Sequence, residues 1–385
     1  MKVPFYRLEL NEEEIKEVID TLRSGWIGTG PKTKKFEEEF KKFIGSEYAL
    51  AISSCTAGLH LSLIIYGVKS GDEVITTPLT FSATANVIVH TGAKPVFVDV
   101  ERNTGNISPS WIESAITDKT KAIIPVHLYG MPCDMGRIME IAQKYGLKVI
   151  EDAAHAIGAI YKGKKIGTIG DATSFSFYAT KNITTGEGGM LTTNDINLAE
   201  RVEIMRLHGL SRDAWKRYIE STGEHYEVLL PGFKYNLTDM QSSIGIHQLK
   251  RFNELQKRRE EIWKRYDEEF SVIEEIELLQ SIPPDGSYHS RHLYTILIKP
   301  EKLKITRDEF VKELNKNGVG TGIHFIALHL HSFYREVYGY RRGMFPNAEY
   351  ISDRTISLPF FPYLKDEEVE YVIKTVKEVI IRNKK

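Results

Sequence analysis

From Tyr48 to about residue 190 the chain alternates short apolar runs with longer stretches of helical spacing. YALAIS, EVITTP, PVFVDV, KAIIPVHL, KVIED, TSFSF and GMLTT read as strands; helices are expected up to Gly67, from about Ser82, near 109–117 and up to Tyr145. Near-continuous apolar strands separated by helices indicate a largely parallel sheet covered on both faces, an α/β lobe. Upstream, Ile15, Val18, Ile19 and Leu22 recur at helical spacing, and a second helix is expected over 33–43. Between them Gly25-Trp26-Ile27-Gly28-Thr29-Gly30-Pro31 is a loop that no helix absorbs. After about residue 245 the texture changes to a long charged helix over 248–270, strands near 273–279 and 292–298, a helix over 307–317 and a terminal helix from Asp366. Strands with helices on one side predict a smaller α+β lobe, dividing the chain into 1–245 and 246–385.

Composition narrows the classes. The 51 Lys and Arg balance 52 Asp and Glu, a formal net charge of -1, so no global field would hold the chain to nucleic acid or an anionic membrane. At 42% hydrophobic and 27% charged, the 385 residues exclude disordered, collagen and coiled-coil classes. The N-terminus lacks a signal-peptide core, and no run approaches the roughly 20 apolar residues of a membrane span, so a cytoplasmic protein is expected. Cys55 and Cys133 are too few for a disulfide framework and fit small buried residues in a reducing compartment. RFNELQKRREEIWKRYDEEF mixes signs and reads as a solvated helix face. His324, His329 and His331 have no carboxylate or Cys at ligand spacing, so no metal is expected.

In a parallel α/β sheet, ligands sit at the carboxyl ends of the strands, and four of those ends are chemically loaded. Ser53-Ser54-Cys55-Thr56-Ala57-Gly58 opens an apolar helix whose first N–H groups could hold a phosphate or simply be capped. Thr77 to Ser82 brings the Phe81 ring to the same edge, a ring that taken alone fits the core. Glu151-Asp152 ends a strand three residues before His155, and Ser174 to Asn182 runs into Lys181 and a glycine-rich turn. A surface lysine is the plain alternative for Lys181. Together the four ends call for a phosphate, a stacked aromatic ring, a basic ring nitrogen and an aldehyde, which pyridoxal 5'-phosphate combines. Lys181 would form the Schiff base, Asp152 would keep the pyridine nitrogen protonated, and a lysine among apolar groups would have a lowered pKa. A dinucleotide-dependent oxidoreductase would use Asp99, but the Gly-x-Gly-x-x-Gly turn after a first strand is missing. A non-catalytic protein that keeps the cofactor is the other rival.

The motifs WIGTGP, SSCTAGLHL, GDEVITTPLTF, IEDAAHAIGA, SFSFYATKNITTGEGGM, RLHGL, FKYNLTDMQ and GTGIHF, in this order along most of the chain, resemble the sugar-nucleotide aminotransferases of the DegT/DnrJ/EryC1/StrS type. The resemblance implies a fold-type I pyridoxal-phosphate transferase, with a large, mainly parallel α/β lobe and a smaller α+β C-terminal lobe. It is strongest to the branch that aminates C4 of a nucleotide-linked 4-keto sugar. It implies Lys181 as the Schiff-base lysine, Asp152 on the pyridine nitrogen, His155 at the phenolic oxygen and Phe81 stacked on the ring. Thr56, Ala57 and Ser176 would contact the phosphate, with Asn236 reaching it from the other subunit of a homodimer with shared active sites. His324 and Thr29 are implied as sugar or nucleotide contacts. Arg212 is a candidate for the pyrophosphate, since a guanidinium matches phosphate oxygens, or a surface arginine. The implied substrates are L-glutamate and a nucleotide-linked keto sugar, UDP-linked by the branch. Departures occur at Cys55, at Tyr178-Ala179-Thr180 and over 211–227, which bear on the sugar and nucleotide. Relatives with histidine in place of the lysine act as dehydratases; Lys181 favours transamination.

Overall fold

A computed structural model describes residues 1–211, 226–279, 283 and 286–385. The strands of the central sheet are β1 (Tyr48–Ile52), β2 (Glu73–Thr76), β3 (Lys94–Phe97), β4 (Thr120–Ile124), β5 (Lys148–Asp152), β8 (Ala172–Ser176) and β9 (Gly189–Thr193). A two-stranded hairpin, β6 (Ile160–Tyr161) and β7 (Lys164–Lys165), is set apart from it. The seven strands lie in the order β1-β9-β8-β5-β4-β2-β3, and β9 alone runs against the others. All seven expected strands are therefore present, in a mainly parallel sheet.

The apolar strands are continuous because both faces are covered. Successive side chains alternate: Ala51, Ile75, Ile123 and Val149 enter one core, whereas Ile52, Val74, Ile124 and Ile150 enter the other. The first core is closed by α2 (Pro31–Ile44) and α6 (Met135–Tyr145), the second by α3 (Cys55–Ile65), α4 (Ser82–His90) and α7 (Ile196–Met205). A further helix, α5 (Pro109–Ala115), packs beside α6. Gly58 lets α3 lie directly on the sheet, since a Cβ there would stand 2.3 Å from Ser174 Oγ.

Three expectations are corrected. Helix α1 (Glu12–Ser24) forms, but its apolar stripe faces outward: Ile15, Ile19 and Leu22 are exposed while Glu14 and Thr21 are buried. Its rotation is set by polar contacts, because Glu14 completes a capping box with Asn11 and receives Gln248 at 2.7 Å and Arg251 at 3.1 Å. The long charged helix is two helices, α8 (Asp239–Lys250) and α9 (Phe252–Phe270), divided at Arg251. Its solvated face is real, yet Arg259 in the same stretch is fully buried. The smaller sheet has a third strand that no pattern announced: β10 (Ile276–Glu277), β11 (Thr295–Ile298) and β12 (Thr355–Ser357) are all antiparallel.

Around that sheet α9, α10 (Arg307–Lys316) and α13 (Asp366–Asn383) form a separate core that also takes in Val3. The first residues of the chain thus pack on this smaller unit, with Val3 N donating to Gly318 O at 2.8 Å. Two short helices, α11 (Ser332–Tyr338) and α12 (Pro346–Arg354), bridge toward β3. Asp99 belongs to this bridge: its carboxylate accepts from Asn347 N at 3.0 Å and Ala348 N at 2.9 Å, capping α12. That use removes it as a ribose carboxylate. Among the described residues no helix is long and apolar enough to cross a membrane, and no cluster of His, Cys, Asp and Glu could hold a metal ion.

Candidate active site

The loaded strand ends converge on a cavity of about 340 Å³ between the two lobes. Its lining includes Thr56, Phe81, Asp152, His155, Ser176, Lys181 and His324, contributed by segments far apart in the chain. The pleat separates the two acids that end β5. Glu151 points to the opposite face, where Gly170 N, Thr173 Oγ1 and His127 Nε2 hold it at 2.8–2.9 Å, and Asp152 faces the cavity. Asp152 is aimed by donors on both oxygens: Thr84 Oγ1 at 2.7 Å on Oδ2, and Ala154 N at 3.1 Å on Oδ1. Thr80 supports Thr84 from 2.8 Å.

At one end of the cavity α3 begins at Cys55, with Ser54 as its cap. The cap uses Ala57, whose N–H donates to Ser54 Oγ at 3.1 Å, while Thr56 is exposed to the cavity. Gly189 allows the sheet to approach this turn, since a Cβ there would meet Cys55 N at 2.7 Å. Cys55 and Cys133 are both buried, and burial pushes their thiols well up, so they stay protonated. Cys55 also lies against the site, its thiol 3.2 Å from Ser174 O.

Lys181 sits in the turn joining β8 to β9, a turn tied by Phe177 N to Gly188 O at 2.9 Å and Lys181 N to Tyr178 O at 2.9 Å. Burial brings its amine from the ordinary lysine value to about 8, against the opposing pull of Cys55 and Asp152. His155 Nδ1 accepts from Tyr129 N at 3.3 Å, which leaves its hydrogen on Nε2. Burial, then the Lys181 charge, then His324 hold its pKa well below the usual histidine range, so the ring is neutral. His324 is held to about 4 by burial and Lys181; it contacts Ser357 Oγ at 2.8 Å and stacks on Phe5 at 5.7 Å. The Phe81 ring is 62% exposed, not core as its sequence alone fits, and lines the cavity with the Phe325 ring 6.3 Å away.

Thr29 and Asn236 lie elsewhere. They line a second cavity of about 430 Å³ with Trp26, Glu37 and Arg206. Thr29 Oγ1 donates to Leu237 O and accepts from Asn236 Nδ2 at 2.6 Å, while Asn236 Oδ1 is buried with no partner among the described residues. Arg212 lies outside the described residues. Sequence reasoning missed Thr84, which aims Asp152, and Asn182 and His292, which meet beside Lys181 at 2.8 Å. The paired histidines of HSRHLY were the available signal, but only folding brings them to residue 181.

A helix N-terminus, an exposed aromatic ring, a carboxylate and an amine of lowered pKa around one cavity fit pyridoxal phosphate. Such groups suit amino-group chemistry on that cofactor. The chain belongs to the DegT/DnrJ/EryC1/StrS aminotransferase family, whose family model matches residues 8–377. It is 57% identical over 99% of its length to protein MJ1066 of Methanocaldococcus jannaschii, covering 98% of that protein. It is 48% identical over 98% of its length to the spore coat polysaccharide biosynthesis protein SpsC of Bacillus subtilis, covering 97% of that protein. The PLP-form structure of the putative sugar aminotransferase Spr1654 from Streptococcus pneumoniae superposes with a TM-score of 0.92 at 36% identity, over 99% of each chain. The protein is a pyridoxal-phosphate-dependent sugar aminotransferase of fold-type I.

Proposed function

We propose that the chain moves the amino group of L-glutamate to the C4 keto carbon of a nucleotide-linked sugar, giving an amino sugar nucleotide and 2-oxoglutarate. The observation that carries this is the joining of Lys181, Asp152, His155 and the first turn of α3 around one cavity. The C4 position and the nucleotide link rest on the motif resemblance, and the likeness to SpsC fits a role in polysaccharide synthesis. Two unpaired, buried cysteines fit a cytoplasmic enzyme.

When bound, pyridoxal phosphate supplies an aldehyde that takes the amino group and a protonated ring that withdraws electrons. Asp152 would hold the proton on the ring nitrogen, and His155 Nε2–H would donate to the phenolic oxygen. The first turn of α3, with Thr56 and Ser176, receives the phosphate. Phe81 excludes water from one face of the ring. Lys181 Nζ would hold the aldehyde carbon and, once the amino donor takes its place there, would carry the proton from the glutamate Cα to that carbon; a pKa near 8 keeps an appreciable fraction of the amine neutral. His324, neutral and aimed by Ser357, contacts the sugar.

The active form in this proposal is a homodimer with shared sites. Asn236, which keeps one Nδ2 hydrogen beyond the one it gives Thr29, reaches through it the phosphate bound by the partner subunit, and the outward stripe Ile15, Ile19 and Leu22 offers apolar area for association. Parallel double-reciprocal lines with glutamate and keto sugar varied are expected, and intersecting lines would contradict the two-stage exchange. Borohydride should fix the visible chromophore to a peptide containing Lys181. A panel of keto-sugar nucleotides, with the product's amine located by NMR, decides the sugar; amination at C3 would refute the C4 proposal.

A further inference from the structure

Residues 290–292 belong to none of the eight motifs, yet they tie three loops of the site together. Ser290 N donates to Gly130 O at 3.0 Å, and Ser290 Oγ donates to His155 O at 2.9 Å. His292 N donates to Tyr129 O at 2.8 Å, and Tyr129 N in turn donates to His155 Nδ1 at 3.3 Å. On the other side Asn182, next to Lys181, donates Nδ2 to Ser290 O at 2.8 Å and sets Oδ1 2.8 Å from His292 Nδ1. The buried Arg259 guanidinium donates to His292 O at 3.3 Å. Between the two anchored residues Arg291 takes a φ of 51°, a left-handed backbone for a non-glycine residue that persists where its surroundings over-determine it.

The hydrogen bonds assign the imidazole's proton. The amide nitrogen of Asn182 is committed to Ser290 O and, at 3.3 Å, to Gln256 Oε1, so its oxygen faces the ring and His292 Nδ1 carries the hydrogen. The ring lies against His155 with centroids 4.4 Å apart and planes at 32°. An apolar side chain of the same size would fill this space but would leave Asn182 Oδ1 unpaired beside Lys181. We propose that His292 is a positioning residue for transamination, fixing Lys181 relative to His155 through its bond to Asn182 and its packing on the second histidine. The inference rests on Lys181 being the residue that carries the cofactor.

The test uses the full chain loaded with pyridoxal phosphate, comparing wild type with His292→Leu and His292→Asn; asparagine places an N–H where Nδ1 sits, and leucine fills the space without one. Wild type must first lose its visible band on adding glutamate and yield a borohydride-fixed peptide containing Lys181. Failure at that stage would condemn the assignment of Lys181 and not that of His292. His292→Leu is expected to slow the glutamate half-reaction about 10²-fold, the scale of a small misplacement of a reacting group, with KM little changed. The pH midpoint of its visible band should move up, because the Asn182 oxygen left without a donor beside Lys181 favours the protonated nitrogen. His292→Asn should recover about tenfold of the rate, the worth of one hydrogen bond. Equal losses in both variants would reduce His292 to packing, and wild-type rate and midpoint in His292→Leu would end the proposal. Should His292→Leu not fold, Asn182→Ala removes the same bond, and an unaltered rate there would be equally fatal.

Discussion

The cavity that holds Lys181 and the cavity that holds Asn236 are similar in size, about 340 and 430 Å³, but their polar groups are satisfied differently. In the first, Asp152 is aimed by donors on both oxygens, His155 has a single tautomer imposed by Tyr129, and Lys181 has a lowered pKa. These groups are preorganised within one chain. In the second, the Thr29 hydroxyl is spent on Leu237 and Asn236, and Asn236 Oδ1 is buried without a partner among the described residues. A buried amide oxygen in that state costs stability until something donates to it. In the proposed reading the first cavity is the site that performs the chemistry and the second is a surface that a partner subunit completes.

The sharpest way to break the contrast is at Lys181. Lys181→Ala should lower the glutamate half-reaction by about 10⁴-fold or more while the protein still binds cofactor, as single-turnover absorbance would show. Asp152→Asn keeps the shape and removes the charge; a loss of about 10²–10³-fold is expected, with a shifted absorption of the bound cofactor. A loss below tenfold would mean that the carboxylate is not on the ring nitrogen.

The second cavity is tested by mixing. Lys181→Ala and Asn236→Asp chains, each weak alone, should recover about a quarter of wild-type activity when reassociated, because half of the random dimers hold one intact site. No recovery would place Asn236 outside the neighbour's site. Smaller effects concern pH. The rate of covalent cofactor capture by the apo protein should rise about tenfold per pH unit up to about 8, the value to which Lys181 is lowered, and then level off. A rise continuing toward pH 10 would contradict the buried amine.

The first cavity also makes a contribution to stability that is sensitive to acid, whereas the second has no histidine among its described lining residues. His324 falls from 6.5 to about 4 on folding, so the unfolded chain takes up this proton first as pH drops below about 6.5. Stability that is intact above that pH is lost toward pH 4. His324→Gln should flatten that part of the slope in urea titrations at pH 7 and 5, and an unchanged slope would refute the shift.

Strand periodicity was legible because every central strand is buried on both faces, so apolar runs map one to one onto β1–β5, β8 and β9. The helix α1 was legible as a helix but not in its rotation, since Glu14 is drawn inward by Gln248 and Arg251 from a segment more than two hundred residues away. Asp152 and Glu151 were equivalent in the chain and became distinct only through the pleat.

By itself the sequence determined the class of protein, its seven large-lobe strands and the cofactor, and it named Lys181, Asp152, His155 and Phe81 as the candidates that the fold gathers around one cavity. Each of these leaves a local mark: a strand end, a helix start, a lysine before a glycine turn. Only the tertiary structure decided what aims them. Thr84, Tyr129, Asn182 and His292 act through hydrogen bonds between segments distant in the chain, and such bonds write no spacing into the sequence.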